Sequence, residues 1–544
     1  ILNLKKSFKL IINLKYFERA SIGKGNEQVD CISKEGHGAN HVWTIYIYRL
    51  ETNGKYWMYD VTNQISTDYS RPSISSIFTN GNLDTSGNED VILIGTNFGP
   101  MLSAMKIDVE YGPFGFGICA TACVVVDSHT KVKCKSSPGR GANHKWTIWV
   151  GYGRVSESSF ATTSYRIPQI EIVSTVEDFL DTRGGEIVYL EGNNFGTGVQ
   201  LWEGCYRERN VDAPDIKVFY TSSNNILYEA TSCVVEVSHT KIKCNTAPGF
   251  GKGHKWKMAI ESRTSPLSLN VTSYRSPVIT SIYGPGSVQG ATAGNQEVYI
   301  KGDFFGPVID NSAGFIQVFY GRFPLAWNSA SVYFPPYAPT CTISAGHIKL
   351  TCITVPGTGK NHSWLISIAD QEAIGGIFHA ETSYGPPIIY EIVDGNDVPL
   401  IQAKTEGSDV MIIKGNNFGK FSSVLTPHVV YKNHGQKSTS KIFAATDCAV
   451  SIAHEEIICY TVAGAGEPYI LELTLNEQKS VVATTSYDLP YIASISGPGA
   501  INAQGDGNES VYIHGYNFGP IDQPTFFESM TYGENGDEYT AKCE

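Results

Sequence analysis

Residues 233–244 read Cys-Val-Val-Glu-Val-Ser-His-Thr-Lys-Ile-Lys-Cys, with apolar and polar positions alternating on both sides of a Ser-His step. A period of two is the pattern of a half-buried strand and does not fit a helix. The same arrangement centres on Ser128-His129, Gly346-His347 and Ala453-His454. A two-residue step between alternating runs predicts a tight antiparallel hairpin. Other alternating runs end in Gly-x-Asn-Phe-Gly, at residues 95–99, 192–196, 415–419 and 515–519, with the variant Gly302-Asp303-Phe304-Phe305-Gly306 between them. Each is followed by a strand-like run with an aromatic near its end: Tyr111, Tyr220, Tyr320, Tyr431 and Tyr532.

These runs belong to one block of about a hundred residues that recurs along the chain. Each copy opens on a proline before alternating isoleucines (Pro72, Pro168, Pro277, Pro387, Pro490) and closes on Ser-Tyr. Between the hairpin and the close lies Pro-Gly-x-Gly-x-x-His-x-Trp, carrying His144, His254 and His362 two residues before Trp146, Trp256 and Trp364. The punctuation marks four complete copies, 72–167, 168–276, 277–386 and 387–489, flanked by a C-terminal half at 21–71 and an N-terminal half at 490–544. The fourth copy departs, with Ala463-Gly464-Ala465-Gly466-Glu467-Pro468-Tyr469 in place of the histidine and tryptophan motif. Short connections containing proline predict a semi-rigid rod.

The cysteines follow the hairpins. Cys123/Cys134, Cys233/Cys244, Cys341/Cys352 and Cys448/Cys459 are each eleven apart, and pairing outward from the central step sets the members opposite one another, as a cross-strand disulfide requires. Zinc is the competing reading, but no second ligand pair completes a tetrahedron. Four regular disulfides place the chain in an oxidising, extracellular or cell-surface compartment. Cys119 and Cys205 fall outside the pattern, and either bridge two domains or remain free.

Short strands at regular spacing with Gly, Pro and Asn turns predict an all-β chain of tandem sandwiches. Phe98, Phe195, Phe305, Phe418 and Phe518 are the expected core anchors, with the tryptophans on the facing sheet. The order of these motifs resembles the IPT/TIG family, immunoglobulin-like domains of plexins, growth-factor-type receptors, fibrocystin-like proteins and large secreted repeat proteins of protists and algae. The resemblance covers residues 21–544 and implies a tandem array of immunoglobulin-like β-sandwiches.

Composition narrows the function. At 544 residues the chain is too long for one core, and only 17% charged residues, with 54 Gly and 25 Pro, argue against coiled coils and helical solenoids. A net charge of −12 supplies no basic footprint for nucleic acid, and no apolar run is long enough to span a membrane as a helix. Enzyme signatures such as Gly-x-Ser-x-Gly and His-Glu-x-x-His are absent, so no catalytic residue is assigned. One histidine per copy at hairpin turns (His129, His239, His347, His454) reads as structural, since single histidines do not converge on a metal. No metal site and no cofactor are therefore expected. The acidic loops 84–90, 394–397 and 506–509 lack a calcium-loop motif and read as solvated turns.

Three Asn-x-Ser/Thr sequons, at Asn270, Asn361 and Asn508, are candidates for N-linked glycans. The third copy carries an aromatic and proline-rich insertion, 323–339, with Trp327, Tyr333, Phe334 and Tyr337, either a contact surface or core. At the ends, Cys31 and Cys543 are complementary, because eleven residues before Cys31 stands Ala20. Either the chain is a window of a longer array, or one subunit completes the open half of the next, head to tail, with residues 1–20 as a donor or replacement strand. Three functions fit, in order: a glycosylated structural and adhesive repeat protein or fibril subunit, partnered by itself or by cell-surface proteins and glycans; a plexin-like receptor ectodomain binding a protein ligand; and a carbohydrate-binding accessory module of a secreted enzyme.

Overall fold

The structure, a computed structural model, describes the chain apart from residues 1–7, 13–16, 23–28, 51–55, 103–104, 152, 199, 206, 213, 310–311, 323–336, 423–425, 434–441, 467, 522–528 and 544. Trp327, Tyr333 and Phe334 of the insertion lie outside the described residues. The described elements are β-strands and two short 3-10 turns. The chain forms two compact units, residues 1–248 with 252–273, and residues 249–251 with 274–544.

In the first unit, residues 72–167 fold as a sandwich. One sheet runs Thr121–Asp127, Lys131–Lys135, Asp90–Thr96, Ser73–Thr79, and the other Lys145–Val150, Ile107–Gly112, Ile118–Cys119, all antiparallel. Alternation puts Val91, Leu93 and Val132 of one sheet and Val109, Tyr111, Trp146 and Ile148 of the other into a single buried core. The next copy repeats this plan, with Leu227–Val237 long enough to pair with Ile216–Thr221 at its start and Lys241–Asn245 at its end. At the beginning of the unit Phe8–Ile12 pairs with His41–Leu50, Ile12 opposite Ile45 and Leu10 opposite Ile47. This strand pairs with the tryptophan strand of its half-domain, as Ile107–Gly112 pairs with Lys145–Val150 in the next.

The second unit holds two more sandwiches. The third copy pairs Val278–Tyr283, Glu297–Asp303, Lys349–Ile353 and Thr340–Ala345 in one sheet, and builds the other around Ile316–Gly321 and Lys360–Ile368. The fourth pairs Ile388–Val393, Val410–Asn416, Glu456–Tyr460 and Thr446–Ile452, and centres its second sheet on Tyr469–Leu475. Phe98, Phe195, Phe305 and Phe418 are buried in their sandwiches, as are the three tryptophans. Phe518 differs: it is exposed, in a segment whose strands pair only two by two.

The hairpin turns correct the expectation of two-residue loops. In each sandwich the turn has three residues, with the histidine in its centre: Asp127 pairs with Lys131, Val237 with Lys241, Ala345 with Lys349 and Ile452 with Glu456. His129, His239, His347 and His454 all adopt positive φ, between 64° and 72°. Histidine tolerates this left-handed region better than most residues. The ten residues between paired cysteines are thus six paired residues, one bulged residue and three turn residues. In the third sandwich Cys341 faces Cys352 directly. In the other three a second bulge, led by Ala122, Ser232 or Asp447 at positive φ, shifts the first cysteine.

Candidate functional site: disulfides and the repeated domain junction

The structure joins Cys123 to Cys134, Cys233 to Cys244, Cys341 to Cys352 and Cys448 to Cys459, with Cα atoms 4.0–4.2 Å apart. Each bond fastens the outer strand of one sheet to its neighbour, beside the core. Cys119 joins Cys205, 86 residues on, so the hairpin Gln200–Gly204 and Arg207–Asp212 of the second sandwich is tied to the edge strand of the first. Cys31 stands opposite Ala20 in its strand pair, and Cys543 is exposed.

The Gly-x-Asn-Phe-Gly motif has a job for each residue. A Cβ on the first glycine would meet the carbonyl oxygen of the residue after the opening proline, at 1.9–2.0 Å for Gly95, Gly192, Gly302, Gly415 and Gly515, so only glycine fits. The asparagines take positive φ, 60–65° at Asn97, Asn194, Asn417 and Asn517. Their side-chain amides donate to the carbonyl just before the opening proline, on Arg71, Ile167, Pro386 and Leu489. The motif therefore pins the linker entering each domain. The closing glycine carbonyl accepts the turn histidine's N–H at 2.6–2.7 Å, and the histidine carbonyl accepts the phenylalanine N–H, in all four sandwiches.

The histidines of the third motif are core residues. His144 Nε2 bonds the Arg140 carbonyl at 2.9 Å, and burial lowers its pKa to about 4. Burial also lowers His362 to about 4. Beside them Tyr111 stacks on Trp146 and Tyr320 on Trp364, and both tryptophan N–H groups donate to threonine hydroxyls, Thr163 and Thr382. In the fourth sandwich Leu471 faces Tyr431 where the other copies place tryptophan, so Tyr469 occupies the histidine position. Its hydroxyl donates to the Ala465 carbonyl at 2.5 Å, four residues back as His144 reaches Arg140. Phe443 stacks on Tyr431 and restores the aromatic pair. The departure of this copy is thereby compensated chemically.

The turn histidines reach across to the preceding domain. Within the first unit His239 Nδ1 lies 3.0 Å from Thr85 Oγ1, and His129 Nε2 lies 3.5 Å from Glu35. Within the second unit His454 Nδ1 lies 2.9 Å from Thr292 Oγ1. Desolvation lowers the pKa of His239, with Asp84 opposing, and that of His454, with Glu455 opposing. A second contact comes from a hairpin at the other side of each domain. Gln478 is buried; its Oε1 accepts from Gly359 N at 3.0 Å and its Nε2 donates to the Tyr384 carbonyl at 2.7 Å. Gln371 makes the same pair of bonds to Gly251 and Tyr274. Charge takes part in both units: Arg322 pairs with Glu477 beside Gln478, and in the first unit Arg154 pairs with Asp68 while the buried Arg140 pairs with Glu261 and donates to the Thr197 carbonyl. Within each unit these contacts combine buried polar bonds with short linkers between consecutive domains.

The candidate ligand groups stay apart. Among the described residues no group of three histidines, cysteines or carboxylates converges to hold a metal. Asp84 accepts from Ser86 N and pairs with Arg166, while Asp394 accepts from Asn396 N and Val398 N, so in these two of the three acidic loops the leading carboxylate is taken up by protein donors. The sequon asparagines Asn270, Asn361 and Asn508 are exposed. Sequence reasoning missed the junction residues Arg140, Gln371 and Gln478; the signal was the equal offset of Gln371 and Gln478, fourteen residues after Gly357 and Gly464.

No protein-family model and no curated protein matches the chain. Among solved structures it is similar to the Escherichia coli adhesin FdeC, at 10% identity over 57% of this chain and 96% of that one, with a TM-score of 0.18. It is similar to invasin, a bacterial integrin-binding protein, at 9% identity over 77% and 81%, with a TM-score of 0.19. A structure described with a xylogluco-oligosaccharide matches at 11% identity over 76% and 100%, with a TM-score of 0.22. At these scores the likeness carries no functional argument. The sheets themselves establish the class: a chain of tandem immunoglobulin-like β-sandwiches.

Proposed function

We propose that the chain is a non-catalytic structural and adhesive array of an extracellular or cell-surface protein, with repeats of the IPT/TIG kind. One observation carries the reading. Disulfides recur at the same place in every sandwich, and Cys119–Cys205 adds a bond between domains. Bonds of this regularity persist in oxidising compartments and stabilise typically by 2–4 kcal/mol each. The junctions support a structural role, because buried side chains from one domain bond the backbone of its neighbour. Partners of this array are cell-surface proteins or glycans, met on the outer faces of the sandwiches.

The test is a thiol count on protein taken from its native source, with alkylation before and after reduction. The reading expects Cys123/Cys134, its three counterparts and Cys119/Cys205 to be alkylated only after reduction, and expects the protein in the medium or on the cell surface. Free thiols at these positions in freshly isolated protein would overturn it. Binding of the purified array to intact cells and to a glycan panel then tests adhesion.

A further inference from the structure

The second sandwich bears an open depression of 410 Å³, lined by residues 173–179 and by Val271, Thr272 and Ser273. Its volume falls in the range of about 300–1,000 Å³ of small-molecule sites. Phe179 and Val271 are both about half exposed beside it, at 53% and 52%. Ser174, Thr175 and Asp178 bring hydroxyls and a carboxylate to the same wall. An aromatic face among hydroxyls and carboxylates is the chemistry that holds a sugar ring, C–H groups against the ring and hydroxyls on the polar groups.

An attachment point for a sugar stands beside the depression. Asn270 begins the sequon Asn270-Val271-Thr272 and is exposed in the bend before Val271–Thr272, the strand that forms one wall. That strand is fixed: Thr272 pairs with His254, its hydroxyl accepts from Trp256 Nε1 at 3.0 Å, and Leu180 N donates to Ser273. Comparison among the copies supplies the independent point. Four residues before the closing tyrosine the other three copies have alanine, Ala161, Ala380 and Ala483, where this one has Asn270. At the position of Phe179, one before the residue bridged to the closing Ser-Tyr segment, the others have Asn82, Gln289 and Gln402. The sequon and the exposed aromatic occur together, in the copy that carries this depression.

We propose that Asn270 carries an N-linked glycan and that its first sugars lie in this depression against Phe179 and Val271. The proposal rests on the extracellular reading above. In the transfer, Asn270 Nδ2 forms a bond to the anomeric carbon of an oligosaccharide borne on a lipid diphosphate. The carbon–oxygen bond to the diphosphate breaks, and the amide proton leaves with the released diphosphate. The glycan then covers apolar surface that the other copies do not expose at this place.

The experiment uses the full chain secreted from a eukaryotic host, in wild-type, Asn270→Gln and Phe179→Ser forms. Glycopeptide mass spectrometry reads occupancy, and hydrogen exchange reads peptides spanning 173–180. The expected result is a glycan on Asn270 and amide exchange about fivefold slower in the wild type than in either variant, as one aromatic contact of ordinary size would give. An occupied Asn270 with equal exchange in all three overturns the seat and leaves the extracellular reading intact. A bare Asn270 in secreted protein with its disulfides formed overturns the glycan itself. Reduced cysteines in the same sample would instead mark failure of the extracellular reading.

Discussion

Replacing Phe304 by asparagine should stabilise the third sandwich. Phe304 stands at φ 62°, in the slot where the other copies place asparagine. A left-handed backbone costs an ordinary L-residue about 1–2 kcal/mol, and asparagine much less. Asparagine also brings the amide that bonds the linker carbonyl in Asn97, Asn417 and Asn517, a bond of about 1 kcal/mol. Against this stands the loss of the Arg275 guanidinium over the Phe304 ring at 5.7 Å, about 0.5–1 kcal/mol, and some apolar burial. The balance is a gain of about 1 kcal/mol, or roughly fivefold slower opening of the sandwich. Hydrogen exchange on the full chain measures it in peptides from Glu297–Asp303 and Lys349–Ile353, with the fourth sandwich as internal standard. Phe304→Gly separates the two contributions, since it relieves the backbone without adding the amide. Equal or faster exchange in Phe304→Asn would refute the reasoning and show that the phenylalanine ring, and not the backbone angle, decides this slot.

Acid should weaken the sandwiches unequally. His144 and His362 are held near pKa 4 by burial, against an ordinary value of 6.5, so the folded state binds fewer protons than the unfolded chain between those values. Stability is full above pH 6.5 and falls as pH drops toward 4, by at most about 3 kcal/mol per histidine. The fourth sandwich, with Tyr469 in that place, should escape this loss, so limited proteolysis at pH 4.5 should release peptides of the first and third before the fourth. Gln478→Ala removes both bonds to Gly359 and Tyr384 and leaves buried groups unmatched, a loss of about 2–3 kcal/mol read as faster cleavage at the 383–387 linker. Gly415→Ala sets a Cβ against the Ile388 carbonyl and should leave the fourth sandwich unable to fold, seen as loss of its protected amides. Cys119→Ser with Cys205→Ser should let the hairpin at 200–212 exchange freely while the core strand Asp90–Thr96 stays protected.

Much of the fold was legible because it repeats. Recurrence located the phenylalanine core anchors, which are buried in all four sandwiches at Phe98, Phe195, Phe305 and Phe418, and marked the glycines at 95, 192, 302, 415 and 515, whose close backbone approach the structure then showed. The turns were misjudged for a physical reason. Ten residues between cysteines is an even number, which suggests symmetric pairing about two residues, whereas a bulge and a three-residue turn give the same count. Spacing measures chain length between two points and is blind to an extra residue that pairs with nothing. The replacement of the histidine by Tyr469 was hidden for the opposite cause. No motif survives there, and only strand register, Leu471 opposite Tyr431, shows which residue inherits the place.

The junction lay further out of reach, because its parts belong to different repeats. Gln478 and Gly359 are 119 residues apart, and Arg140 and Glu261 are 121 apart, so no local pattern joins them. Yet the two solutions share one geometry: a residue from a hairpin turn of one domain enters the Pro-Gly loop of the domain before it. Where that loop offers bare backbone, as at Gly359, an amide that both donates and accepts fits it. Where the loop supplies the buried Arg140, the hairpin answers with Glu261. Exchanging Gln478 for glutamate would set a buried carboxylate oxygen against the Tyr384 carbonyl where the amide now donates, with Arg322 already paired to Glu477, and should cost more than the alanine change at the same place. If Gln478→Glu proved no worse than Gln478→Ala in linker cleavage, the amide would be filling space at this junction, and the pairing of each hairpin with its own loop would not be what sets the order of neighbouring domains.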